Sequence, residues 1–270
     1  MIRVMTLAVI AAIAFPAWGQ DKDEKKDEKK DAKADQCTDD EAKAQVTDYQ
    51  KEWKKAKGAD DQIRVVENLG TKKHPKIFDE LKKLLLGGHP IEVRITAADQ
   101  IGKYKKDEKA ADTLIATAKA AVVRKETLEL AIKCIRYLSG IGLRAKAKEL
   151  MPLLGRPETD FVREILDTCG LLKSKDTIDP IINLVLELEA IKEESSTNTG
   201  GAGGNMPGSQ YPGANQPGGN REDEKVKRKK DLLGPAKQTL KDETGEKFNE
   251  GAKWKEWWGK NKSTWKEPAE

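Results

Sequence analysis

Residues 93–102 read "VRITAADQIG". Val93, Ala97, Ala98 and Ile101 gather on one side of a helix, whereas a strand would scatter them over both faces. The stretch has echoes along the chain. An apolar pair stands at Val65-Val66, Ala97-Ala98, Ala131-Ile132 and Ile165-Leu166, spaced 32, 34 and 34 residues apart. Each pair is followed at one offset by an apolar residue: Leu69, Ile101, Ile135 and Cys169. Glycine comes next at Gly70, Gly102 and Gly170, and Arg136 is the exception.

A second motif fills the back half of each unit. It is Leu81, Leu84, Leu85 in the first, Leu150, Leu153, Leu154 in the third and Ile181, Leu184, Val185 in the fourth. The second unit is blander, with Leu114, Ile115 and Ala118. Each unit therefore holds two amphipathic helices. A period near 33 with two helices predicts an all-α chain. The expected form is an α-solenoid of about four helix pairs over residues 38–194, whose neighbours bury each other's apolar faces. The small residues suit helices stacked about 8–10 Å apart. Pro152 falls in the last turn of one helix and should bend or shorten it.

The stretch "VRITAADQIG" resembles the first helix of a HEAT repeat, with its Val-Arg start, Ala-Ala pair and Ile-Gly end. "FVREILDTCG", residues 161–170, is a looser copy with Val-Arg shifted by one. "TLELAIKCIR", residues 127–136, lacks both the Arg and the closing Gly. The Trp/Gly/Tyr pattern of tetratricopeptide repeats is missing. The resemblance covers about half of the chain. It implies an armadillo-type fold that binds other proteins. Near the end, "TGEKF" followed by Trp254, Trp257, Trp258 and Asn261 resembles the terminal segment of some secreted bacterial HEAT-repeat proteins.

The flanks differ in kind. Residues 1–19 read as a signal peptide: Arg3, an apolar run from Val4 to Phe15, then small residues at Ala17 and Gly19. The run is too short to cross a bilayer, which needs about 20 residues. Export is expected, to a periplasmic or extracellular site, with cleavage near Gly19 and no transmembrane span left. Residues 20–37 form a charged tether. In "DKDEKKDEKKDAKAD", 21–35, most i,i+4 pairs carry like charge, which opposes a helix. Thr38 and Glu41 have capping-box spacing. After them Ala42, Val46, Tyr49, Trp53 and Ala56 make one helical stripe, stopped by Gly58. Residues 195–220 are a disordered linker rich in Gly, Pro and Asn, spanning roughly 28 Å as a random chain. Residues 221–270 read as a helical cap. Leu232, Leu233 and Leu240 form a patch, Thr244-Gly245 a turn, and Asn249 the N-cap of a Trp-rich helix.

Charge excludes one class of function. Fifty basic residues oppose 46 acidic ones, a formal +4, and the charges are interspersed. A nucleic-acid binder concentrates basic charge instead. His74 and His89 each precede proline and read as helix starts rather than sites. "GGAGG", 200–204, lacks the Lys-Ser/Thr and helix of a phosphate loop. Cys37, Cys134 and Cys169 match no metal spacing. Cys134 and Cys169 read as buried small hydrophobes, with a disulfide between them left open. No cofactor, metal or small-molecule ligand is expected, and no enzyme activity.

What remains is surface. In this architecture the second helices line the concave side. Their polar positions are Lys82, Lys83, Lys119, Lys146 and Lys148, then Glu187, Glu189, Glu193 and Glu194. A groove running from basic to acidic suits an unknown protein partner selected by charge. The expected function is a protein-interaction scaffold of the envelope compartment. The alternative is an envelope-polysaccharide binder that stacks sugars on Trp254, Trp257, Trp258 and Trp265. The first three lie at i, i+3 and i+4 with lysines opposite. That fits a terminal plug, apolar inside and polar outside, as well as it fits a ligand platform.

Overall fold

A computed structural model describes residues 37–192 and 220–268. The expected signal peptide, the tether up to residue 36 and nearly all of the expected linker lie outside the described residues. The described chain is all-α, with no β-strand.

Helix α1 spans Asp39–Lys55 and opens on the predicted capping box. The Thr38 N–H donates to Glu41 Oε2 at 2.8 Å and the Glu41 N–H to Thr38 Oγ1 at 3.3 Å. The helix ends before Gly58, at an Ala56 cap. Gly58 instead starts α2, Ala59–Leu69, as its N-cap. Both His-Pro pairs mark helix starts. His74 caps α3, Pro75–Leu86, its Nδ1 accepting from the Lys76 N–H at 3.2 Å. Pro75 takes the first position, where no N–H is needed. Pro90 precedes α4, Ile91–Gly102. Asp107 caps α5, Glu108–Ala121. A short 3-10 turn then leads into α6, Leu128–Ile141.

The third unit departs from expectation. Residues Arg144–Leu153 form a 3-10 helix rather than an α-helix. Pro152 accounts for its last turn, because its ring meets the carbonyl four residues back and offers no N–H. After it come α7, Thr159–Leu172, and α8, Lys175–Ala190. Beyond the undescribed segment lie α9, Asn220–Thr244, and α10, Gly251–Asn261.

The helices pack in two rows. In one, α2 touches α4, α4 touches α6, α6 touches α7 and α7 touches α9. In the other, α3 touches α5, α5 the 3-10 helix, the 3-10 helix α8, and α8 touches α10. Diagonal contacts such as α3 with α4 and α8 with α9 join the rows over one core, and α1 covers α2 and α3. The recurrent apolar pairs point inward. Val66, Ala97, Ala98, Ala131, Ile165 and Leu166 are fully buried, as are Leu69, Ile101, Ile135 and Cys169. The glycines that follow have a packing role. A Cβ on Gly102 would stand 2.7 Å from Tyr137 Cβ of α6. Where Arg136 replaces glycine, the contact between α6 and α7 is a two-pronged ion pair with Glu164, at 3.0 and 2.6 Å.

Candidate functional site

Two surfaces were legible in the sequence: the lysine face of the second helices and the tryptophan helix. Lys82, Lys119 and Lys148 are exposed, on α3, α5 and the 3-10 helix. Lys83 is exposed beside Glu80, 2.7 Å away, whose carboxylate holds its ammonium above the usual range. Lys146 is engaged within the chain. Its side chain is only 19% exposed and is held between Asp112 and Glu149. Glu187 is exposed on α8, while Glu193 and Glu194 lie outside the described residues. Glu189 is engaged as well. It pairs with Lys237 of α9 at 2.7 Å and accepts the Gly251 N–H at 2.9 Å.

That last bond corrects the expected cap. The residue before α10 is Glu250, which makes no side-chain cap bond, and not Asn249. The first helical N–H is satisfied by Glu189, from another helix. Contact is close here: a Cβ on Gly251 would come within 2.9 Å of Leu186 and 3.1 Å of Val185.

The tryptophans divide. Trp254 is 0% and Trp258 2% exposed, while Trp257 and Trp265 are half-buried against the same core. Phe248 meets Trp254 edge-on at 4.9 Å, Trp257 stacks on Trp258 at 6.0 Å, and Trp265 closes edge-on over Trp258 at 5.8 Å. Such offset and edge arrangements suit the ring quadrupole. Trp254 Nε1 donates to the Phe248 carbonyl at 3.2 Å. Trp258 Nε1 is buried without a hydrogen-bond partner. The outer face carries exposed Lys253, Lys255, Glu256 and Lys260.

The residues that fasten this region read in the sequence only as charge. Arg228 of α9 donates to the carbonyls of Leu154, at 2.6 Å, and Arg156. Lys229 donates to the Ile191 carbonyl at 2.9 Å. Both cover carbonyls that follow preceding elements. Pro235 inside α9 cannot donate to the Asp231 carbonyl, and Arg163 of α7 does so at 3.3 Å. After α10 the chain runs back over α8. Lys262 pairs with Asp179, Glu267 accepts the Lys175 N–H at 2.8 Å, and the Pro268 carbonyl accepts from Arg144.

The thiols match the buried reading. Cys134 and Cys169 are buried and free, so no disulfide joins them, and Cys37 is half-buried. Burial pushes the Cys134 thiol up to about 12 and that of Cys169 well above its ordinary value. Such thiols are poor nucleophiles. Burial likewise pushes the Glu243 carboxyl of α9 up to about 8. Among the described residues no group of His, Cys, Asp and Glu suits a metal ion, and no helix is long and apolar enough to cross a membrane. No family model matches the chain, and neither a curated protein nor a solved structure does.

Proposed function

We infer that the chain is an exported, HEAT-type α-solenoid acting as a non-enzymatic protein-interaction scaffold. The observation that carries this reading is the two-row packing, in which each helix touches its counterpart one pair further on. On this reading α9 and α10 are a fifth pair, because they extend the two rows through α7 and α8. They close the open end, with tryptophans inward and lysines outward, as a capping repeat must. Export rests on the character of residues 1–19, and N-terminal sequencing of the mature protein checks it.

The scaffold presents the outer face of the second row. Lys82, Lys83, Lys119 and Lys148 are among its exposed cations, and the partner is a protein with an acidic contact face. The polysaccharide alternative loses two of its four rings, since stacking needs open ring faces and Trp254 and Trp258 have none. The test is a quadruple reversal of Lys82, Lys83, Lys119 and Lys148 to Glu. Capture of envelope proteins by the mature chain should fall, most at low salt. Unchanged capture would sink the basic-face reading.

A further inference from the structure

The strongest observation left unused is at the seam between α8 and α9. Glu243, in the last turn of α9, is 3% exposed. Its Oε1 lies 2.5 Å from Thr177 Oγ1, and the same hydroxyl lies 2.6 Å from the Ser174 carbonyl. A hydroxyl has one proton and cannot donate to both. The backbone carbonyl can only accept. Both contacts are hydrogen bonds when Glu243 carries a proton and donates to Thr177, which then donates to Ser174. The other oxygen, Oε2, is buried with no partner. An ionised carboxylate there would keep at most one donor, against the two or three that hold a charge indoors.

The surroundings give no counter-charge. On α9 itself the near group is Asp242, which disfavours the anion. On α7 the group beside it is the Cys169 thiol, and Asp167 stands on the same helix. The turn into α8 brings Lys173, and α8 begins with Lys175 and Asp176. The tail adds Glu267, whose carboxylate is engaged by the Lys175 N–H. No lysine or arginine among the described residues pairs with Glu243 or shifts it.

We propose that Glu243 is an acid-locked latch: protonated, it holds α9 and α10 on the face of α7 and α8; ionised, it releases them and uncovers that apolar face. The geometry concentrates the effect on the C-terminal pair. The rows from α2 to α6 hold no part of the latch.

The sign follows from linkage. The carboxyl titrates near 4.5 when released and near 8 when docked. Docking is therefore strongest below pH 4.5 and weakens about tenfold per pH unit until it levels off near 8. The experiment is amide hydrogen exchange on the mature chain from pH 5 to 9, read as protection factors corrected for intrinsic rate. Protection in α9 and α10 should fall along that slope while α2–α6 stay flat. Glu243→Gln and Glu243→Met should both remove the slope. A slope that persists in either variant, or that α2–α6 share, overturns the latch. A carbon-13 titration of the Glu243 carboxyl in the unmutated chain decides it even if neither variant folds: a midpoint near 8 supports the latch, and one in the ordinary carboxylate range overturns it.

Discussion

Helices α4 and α6 approach one another through a missing side chain, and α8 and α10 enclose two of the largest side chains in the chain. Gly102 admits Tyr137 in the first case, and Trp254 and Trp258 lie dry in the second. Each contact joins successive helices of a row, yet their chemistry is opposite. An internal pair has neighbours on both sides, so its apolar surface is covered by closing the gap. In the solenoid proposed above, a terminal pair has a neighbour on one side only. It must bring its own core, and large rings provide one while the outer face stays polar.

Substitutions sharpen the contrast. Trp258→Ala should destabilise by about 3–5 kcal/mol in denaturant unfolding, as for other buried large aromatics. The half-buried Trp257 should cost roughly 1–2 kcal/mol when truncated, in proportion to the smaller area it covers. Equal costs would mean that the cap is not layered as described. The glycines form a graded series. In Gly102→Ala the new methyl meets a Cβ at 2.7 Å and the Tyr137 carbonyl at 3.4 Å, so the two helices must part, for about 1–3 kcal/mol. Gly70→Ala meets the side chain of Gln100, which can turn, and should cost less. Gly170→Ala finds only ordinary contact, 3.7 Å from Thr239, and should stabilise α7 by up to about 1 kcal/mol. Thermal melts should place Gly102→Ala lowest and Gly170→Ala highest; any other order breaks the idea that Gly102 is a close-approach device and Gly170 is not. Smallest is Arg136→Ala, which removes the partner of Glu164 and should cost roughly 0.5 kcal/mol, salt-dependently.

Much of this was readable in one dimension because its cause is local. The 3.6 period of Val93, Ala97, Ala98 and Ile101, the Thr38–Glu41 box and the His-Pro starts each act within a few residues. The Asn249 cap failed for the opposite reason: the donor it was meant to satisfy is met by Glu189, from a different helix. The pairing of Lys146 was hidden for the same reason: Asp112, its partner, stands on a neighbouring helix. Arg228, Lys229 and Glu243 went unnoticed, since a charged residue in a charged run looks the same whether it meets water or a buried carbonyl.

The order of residues was enough for the helical class and the amphipathic face of the tryptophan helix, both set by periodicity and near-neighbour sterics. It took the packed chain to show which tryptophans are dry, which lysines are already paired and where one carboxyl is buried with an oxygen left unpartnered. Those outcomes depend on desolvation by residues tens of positions away, and no spacing rule reaches that far.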